Sequence, residues 1–144
     1  MVEVKFYEDV SDELLKFAVI VAKHDGQWVF CKHKERETYE VPGGHRESGE
    51  TILEAAAREL QEETGAIEYT IQPVCVYSVT SKTRVNETTG EETFGMLFFA
   101  EVKSFGEIHS EMEKISLCGG LIDNWTYPQI QPKLLQEAAR RGFI

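Results

Sequence analysis

The segment that most restricts the fold of this chain is residues 43–66, GGHRESGETILEAAARELQEETGA. Thr51 and Glu54 have the T-x-x-E spacing of a capping box, which satisfies backbone N–H groups at the start of a helix. Gly65 stands where a C′ glycine ends a helix, and the residues between are good helix formers. The pattern therefore predicts a helix over residues 52–64, preceded by a glycine-rich loop.

This predicted helix carries apolar and acidic residues on two neighbouring stripes. At about 100° per residue, the stripe expected to face a core comprises Leu53, Ala56, Ala57 and Leu60. The second stripe brings together three carboxylates at i+3 and i+4 spacing, those of Glu59, Glu62 and Glu63. Like charges at these spacings destabilise a helix by about 0.2–0.5 kcal/mol per pair, so the cluster needs an explanation.

Two interpretations compete for the three glutamates. A charge run is usually a solvated surface, and that is the simpler one. Against it, Arg58 is the only base nearby in the sequence, and the glycine-rich loop suits close backbone approach. Clustered carboxylates beside such a loop suit a hard divalent cation such as Mg²⁺, which takes oxygen ligands and bridges to phosphates. From the spacing alone we favour a metal site over a solvated surface.

Runs of β-forming residues on both sides of the helix predict an α+β domain. Residues 15–33, LKFAVIVAKHDGQWVFCKH, read as two strands joined by a DG turn. Residues 70–84 and 92–103 flank the polar segment NETTGEE and predict a second hairpin, in which Pro73 indicates a strand start or an edge. A terminal helix is expected to begin near Pro132. Its apolar residues are Leu134, Leu135 and Ala138.

Composition limits the classes of function. The 144 residues fit one domain, residues 1–144. A net charge of −10 opposes non-specific nucleic-acid binding, which needs a surplus of Lys and Arg. The sequence has no run of about 20 apolar residues and no leader-like start, so we expect a cytoplasmic protein without a membrane span. An odd number of cysteines without CxxC spacing argues against a disulfide framework or a zinc site; they are Cys31, Cys75 and Cys118.

Residues 44–66 resemble the Nudix box, G-x5-E-x7-R-E-U-x-E-E-x-G-U, in which U is an aliphatic or small apolar residue. The residues at its specified positions are Gly44, Glu50, Arg58, Glu59, Leu60, Glu62, Glu63, Gly65 and Ala66. The strands before the box, the hairpin after it and the terminal helix are also similar to the Nudix α/β/α sandwich. The resemblance therefore implies a mixed sheet with a catalytic helix.

The resemblance further implies a hydrolase that breaks a phosphoanhydride bond in a nucleoside diphosphate derivative and requires Mg²⁺ or Mn²⁺. By family analogy the metal ligands would be Glu59, Glu62, Glu63 and the Gly44 carbonyl. Glu59 would also act as the general base or orient it, and Arg58 would hold a catalytic carboxylate in place. The supporting positions would be Gly43, Glu50 and Gly65.

Signals outside the box are weaker. Glu111 is a candidate further metal ligand, and a solvated charge is an equally good interpretation. We favour surface roles over phosphate contact for Lys32, His33, Lys34, His45 and Arg46. We favour core packing over base stacking for Tyr77, Phe94, Phe98 and Phe99. We favour packing under the terminal helix over a place at the substrate cleft for Trp125 and Tyr127.

The substrate is the open question. The sequence lacks the features that mark coenzyme A, ADP-ribose and dinucleoside polyphosphate hydrolases, which favours a MutT-like nucleoside triphosphate pyrophosphohydrolase with 8-oxo-dGTP as first candidate. The alternatives are hydrolysis of ADP-ribose, dinucleoside polyphosphates or RNA 5′ ends, and a catalytically silent nucleotide-binding module. The expected partner is a small-molecule nucleotide, and a homodimer is left open.

Overall fold

The computed structural model describes residues 2–81, 92–107, 112–118 and 122–144. A single 3-10 turn, Asp12–Leu14, precedes the second strand. The strands are β1 (Val2–Tyr7), β2 (Leu15–His24), β3 (Gln27–His33), β4 (Tyr39–Glu40), β5 (Gly43–His45), β6 (Ala66–Ser81), β7 (Glu92–Phe105) and β8 (Met112–Cys118). The helices are α1 (Ile52–Thr64) and α2 (Gln131–Arg140).

The strands form one mixed, curled sheet in the order β1-β6-β7-β2-β3-β4. β2 and β7 pair in parallel at its centre, whereas β1 with β6, β6 with β7, and β2 with β3 are antiparallel. β5 pairs with the first half of β2 and β8 pairs with β3. The short β5 therefore lies against a central strand, where it carries the glycine-rich loop to the middle of the molecule.

Each face of the sheet is covered by one helix, which makes the α/β/α sandwich expected from the sequence. Alternate residues of a strand point to opposite faces, so β2 and β7 supply side chains to both cores. The core under α1 includes Ala18, Ile20, Phe98, Ala100, Ala55, Ala56 and Leu60. The core under α2 includes Val21, Phe30, Leu97, Phe99, Leu134, Leu135 and Ala138.

The helix α1 has the bounds that its capping signals predict. The Thr51 side chain accepts from Glu54 N–H, the Glu54 side chain accepts from Thr51 N–H, and Gly65 ends the helix with a φ of 75°. The predicted core stripe is wrong at one end, because Leu53 is 47% exposed and Ala55 is fully buried. Since α1 packs against β5 as well as β2, the helix is rotated so that its buried stripe lies closer to Ala55.

The DG turn and the second hairpin are also confirmed. Asp25 and Gly26 both have positive φ, 48° and 78°, as the two-residue turn between β2 and β3 requires. β6 and β7 pair along their length, and the predicted turn at residues 86–91 lies outside the described residues. Pro73 does not start a strand, because β6 begins at Ala66. It does occupy an edge, since β1 pairs with β6 only from Val76 onwards.

The terminal helix α2 begins at Gln131, one residue before the predicted Pro132. The segment before it extends the sheet at β4 by a bridge between Tyr39 and Trp125. Cys31 and Cys75 are buried free thiols, and the side chain of Cys118 is outside the described part of the structure. In the described residues, neither helix has the length and apolar composition that a bilayer span requires.

Candidate active site

Two of the predicted glutamates, Glu59 and Glu63, lie against β5, the strand that begins the glycine-rich loop, and Glu62 lies nearer the solvent. Their exposure differs: the side chain of Glu59 is 12% exposed, that of Glu62 is 49% exposed, and Glu63 is largely buried. Helical spacing places all three on adjacent positions of one face. The three residues are therefore neighbours on α1, and their side chains range from partly buried to solvated.

Two glycines of β5 allow the strand to approach these carboxylates. The backbone N–H of Gly43 donates to Glu63 Oε1 over 2.6 Å. A Cβ atom on Gly44 would lie 2.5 Å from Glu59 Oε1, closer than any side chain tolerates. A Cβ atom on Gly43 would lie 2.6 Å from the Ala18 carbonyl oxygen of β2. Glycine at both positions therefore lets β5 fit between the central strand and the carboxylates.

Arg58 lies at the centre of the acidic group and donates hydrogen bonds to three of its members, Glu50, Glu59 and Glu62. Its guanidinium donates to both carboxylate oxygens of Glu50, over 2.6 and 3.0 Å. It also donates to Glu59 Oε1 over 2.8 Å, to Glu62 Oε2 over 3.4 Å and to the His45 carbonyl over 3.0 Å. This network ties the loop to α1 and fixes the orientation of the Glu59 carboxylate.

The electrostatic environment differs between the carboxylates. Hydrogen bonds from Arg58 lower the pKa of Glu50 below its usual range. Burial raises the pKa of Glu59 despite the contact with Arg58. Burial also raises the pKa of Glu63 to about 8, with the Gly43 N–H opposing the shift. These two partly buried carboxyl groups on α1 thus lack enough positive charge around them, as expected at a site that binds a cation.

A divalent cation fits this donor set in its chemistry. All the candidate side-chain ligands are carboxylate oxygens, which hard cations prefer, and the raised pKa values show charge that such an ion would compensate. Within the described ranges, no three His, Cys, Asp or Glu side chains converge closely enough to form a ready-made metal site. Arg58 engages Glu59 and Glu62 while Glu63 is bonded to Gly43, so binding a metal requires these side chains to rotate.

A cavity of about 300 Å³ lies on the opposite side of the Gly43–Gly44 segment, between the sheet and α2. Its walls are mainly apolar and include Phe17, Val19, Val41, Val79, Ile130 and Leu134. Its polar lining residues include Tyr77, Gln131, Thr93 and Glu40. The ring of His45 packs on Phe17 at the rim, with the ring centroids 4.5 Å apart. The cavity and the carboxylates therefore share β5 as a common wall.

The weaker sequence candidates have mixed outcomes. Glu111 lies outside the described residues. Lys32 is 8% exposed, so the surface role expected for it is wrong, because β3 is flanked by both β4 and β8 at this point. His45 is exposed at the cavity rim, and Lys34 is exposed. Arg46 forms an ion pair with Asp12.

Some of the aromatic candidates pack in the core, as expected, and others line the cavity. Phe98 and Phe99 are in the core as expected, and Trp125 packs edge-on against Phe30 at 5.3 Å. Tyr77 is 4% exposed but lines the cavity. Tyr127 borders the cavity and is 40% exposed, so its predicted place under the terminal helix is wrong.

Sequence reasoning missed the cavity residues Phe17 and Gln131. Phe17 is one of several apolar residues of β2, and Gln131 is a polar residue at the start of α2, so neither belongs to a recognisable motif. Their shared position depends on how α2 packs over the sheet, and no local pattern in the sequence encodes that packing.

Comparison with known proteins agrees with this geometry. The family model described as NUDIX domain matches residues 14–141. The putative 8-oxo-dGTP diphosphatase YtkD of Bacillus subtilis is 33% identical over 84 residues, which are 58% of this chain. The match spans 52% of that relative, so about half its length is compared.

Solved structures show the same fold. The Bacillus subtilis pyrophosphohydrolase BsRppH superposes with a TM-score of 0.78 at 23% identity, covering 99% of this chain and 92% of that chain. An Ap4A hydrolase of C. elegans superposes with a TM-score of 0.59 at 19% identity, covering 88% of this chain and 96% of that chain. At these identities the likeness concerns the fold alone.

Proposed function

Because this chain belongs to the NUDIX family, we propose that it hydrolyses a phosphoanhydride bond in a nucleoside triphosphate, acting as one domain over residues 1–144. The first candidate substrate is an oxidised guanine nucleotide of the 8-oxo-dGTP type, the activity in the name of the Bacillus subtilis relative. The product pair would be a nucleoside monophosphate and pyrophosphate. The observation that carries the proposal is the placement of partly buried carboxylates and an apolar cavity on the two sides of Gly43–Gly44.

We assign the roles in this reaction to the box residues. Glu59, Glu62 and Glu63 with the Gly44 carbonyl would hold Mg²⁺ or Mn²⁺, and Glu111 is a further candidate ligand. When bound, the cation would activate the attacking water and neutralise charge on the phosphoryl oxygens. It would also offset the repulsion between a chain of net charge −10 and a polyanionic substrate.

The chain's own residues prepare the reaction. Glu59, at 12% side-chain exposure and with a raised pKa, is suited to accept a proton from water near neutral pH. Arg58 orients Glu59 through the 2.8 Å hydrogen bond and is itself fixed by Glu50. Gly43 and Gly65 hold the carboxylates in position. The Gly43 N–H donates a hydrogen bond to Glu63, and Gly65 ends α1 directly after the carboxylates.

The test is a turnover screen with saturating Mg²⁺. It covers ordinary and oxidised nucleoside triphosphates, ADP-ribose, dinucleoside polyphosphates, nucleotide sugars and 5′-triphosphorylated or capped RNA, and it separates released phosphate from pyrophosphate. Pyrophosphate release from nucleoside triphosphates supports the proposal. A preference for another substrate class assigns the activity to that class instead. Nucleotide binding without turnover favours the catalytically silent binding module.

A further inference from the structure

Two mostly buried polar side chains line the cavity and have polar atoms that no other described residue contacts through a hydrogen bond. Tyr77 is 4% exposed and Gln131 is 6% exposed. Within the described residues, the Tyr77 hydroxyl makes no hydrogen bond, and Gln131 makes one, through its side-chain oxygen. A cavity lined by two such groups offers a bound ligand hydrogen-bonding capacity that the described part of the chain does not use.

Both groups reach the cavity rather than being sealed in the core. No side-chain nitrogen or oxygen of the described residues is fully enclosed and unpaired. The Tyr77 hydroxyl and the Gln131 amide nitrogen must therefore each contact open space, and the cavity that both residues line provides it. The tip of the Tyr77 ring lies over Gly95, where a Cβ atom would come within 2.7 Å of the hydroxyl oxygen.

The Gln131 amide has a fixed orientation. The Val41 N–H lies 2.9 Å from Gln131 Oε1, and a backbone N–H can only donate. The oxygen must therefore face Val41, which leaves the NH₂ group as the part of the amide that is free to bind a ligand. Gln131 thus offers the cavity a donor only, whereas the Tyr77 hydroxyl can donate or accept and adapts to either.

We infer that Gln131 determines base specificity, with its NH₂ group selecting a purine that carries a carbonyl oxygen at position 6; this rests on the proposed function. The phosphates would lie at Gly43–Gly44, beside the carboxylates. The base edge farthest from the sugar then enters the cavity between the apolar walls. Guanine and hypoxanthine present an acceptor at position 6, whereas adenine presents an NH₂ donor. Adenine would place donor against donor at Gln131, while Tyr77 strengthens binding of both.

The sharpest test compares inosine and adenosine triphosphates, because they share the sugar, the phosphates and the 2-position. We expect the wild-type kcat/KM to be about 10- to 100-fold higher for inosine triphosphate, the ratio that one unpaired group produces. Gln131→Glu keeps an oxygen for the Val41 N–H and replaces the cavity-facing donor with an acceptor. It should lower that ratio by about 10- to 100-fold.

A matched control separates this effect from added charge. Gln136→Glu places the same charge on the exposed side of α2 and should leave the inosine-to-adenosine ratio unchanged. Tyr77→Phe should lower kcat/KM for both nucleotides while keeping their ratio. A wild-type ratio near one, or an unchanged ratio in Gln131→Glu, overturns the assignment of Gln131.

A binding measurement on the wild type tests the base assignment even if the Gln131→Glu variant does not fold or the protein shows no turnover. Inosine 5′-monophosphate should shift the Gln131 side-chain NH₂ resonances in a two-dimensional NMR spectrum, and adenosine 5′-monophosphate should shift them much less. Absence of turnover with this selective shift rejects the proposed function and keeps the base assignment. Turnover of triphosphates with equal shifts from both monophosphates keeps the proposed function and rejects the base assignment.

Discussion

The backbone N–H of Gly43 donates a 2.6 Å hydrogen bond to the Glu63 carboxyl group, which lies largely buried between α1 and β5. One neutral donor holds the group in place but does not compensate its charge. Burial accordingly raises the pKa of Glu63 to about 8. The metal-free fold therefore carries an electrostatic cost at the same position where the resemblance places a metal ligand.

The first prediction is that Glu63→Gln stabilises the metal-free protein. Glutamine keeps an oxygen for the Gly43 N–H and removes the charge. Because the folded pKa is raised from 4.5 to about 8, the folded wild type keeps a proton that the unfolded chain releases. Its stability should fall as the pH rises from about 4.5 to 8, and the variant should lack this fall.

Thermal melting with a chelator at pH 6 and pH 8 measures this difference. The variant should melt a few degrees above the wild type at pH 8, with a smaller gap at pH 6, and Mg²⁺ should raise the wild-type midpoint more. Glu101→Gln, an exposed carboxylate on β7, is the control and should show neither effect. A clearly destabilised Glu63→Gln protein would mean that this glutamate is a structural partner.

The second prediction concerns activity. Glu62→Gln and Glu63→Gln should each lower turnover with saturating Mg²⁺ by about 10²–10⁴-fold, the range of losing acid–base or metal assistance. Glu62 is 49% exposed and makes a 3.4 Å contact with Arg58, so its loss should leave the melting midpoint nearly unchanged. Steady-state kinetics and circular dichroism of both variants decide it, and near wild-type rates in either would remove that residue from the metal site.

Local sequence signals predicted the helix α1 and both hairpins. Thr51, Glu54 and Gly65 act within one or two turns of their own position, so they determine where α1 begins and ends. The turn at Asp25–Gly26 is equally local. The spacing of Glu59, Glu62 and Glu63 predicted their clustering for the same reason.

Features that depend on packing between distant segments were not predictable in this way. Leu53 is exposed and Ala55 is buried, contrary to the predicted core stripe, because the rotation of α1 depends on its contact with β5. The orientation of Gln131 depends on Val41, 90 residues earlier in the chain. The cavity is therefore a property of the folded chain, and composition or spacing did not reveal it.

The third prediction uses the ion pairs of Glu137 at the end of α2. Its buried carboxylate accepts hydrogen bonds from Arg140 and Arg141, and these contacts lower its pKa to about 2. A depressed folded pKa stabilises the fold above the unfolded pKa, and this stabilisation is lost as the pH falls from about 5 to 2. It should amount to about 2 kcal/mol, reduced by the exposure of Arg140.

Glu137→Gln should therefore melt about 4–8 °C below the wild type at pH 7. The gap should shrink steadily as the pH falls from 5 to 3, whereas Glu101→Gln should follow the wild type throughout. Differential scanning calorimetry over this pH series measures both variants. A gap that is constant with pH would assign the loss to packing rather than to the carboxylate charge.

The fourth prediction compares two adjacent glycines, neither of which has a positive φ, so that alanine acts through contacts alone. In Gly44→Ala the new Cβ would lie 2.5 Å from Glu59 Oε1, the end of a side chain that can rotate away. The fold should survive, with a melting midpoint within a few degrees of wild type. Displacing that carboxylate should lower kcat/KM by about 10²-fold, as for a misplacement of about 1 Å.

In Gly43→Ala the new Cβ would instead lie 2.6 Å from the Ala18 carbonyl oxygen and 3.0 Å from Val19 Cα. Both atoms belong to the backbone of β2, so relief requires β5 to move away from the central strand and to weaken its bond to Glu63. The melting midpoint should therefore fall much further than in Gly44→Ala. Melting curves and kcat/KM of the two variants, measured side by side, test the contrast. Equal destabilisation, or full activity in Gly44→Ala, would show that β5 does not hold the carboxylates as described.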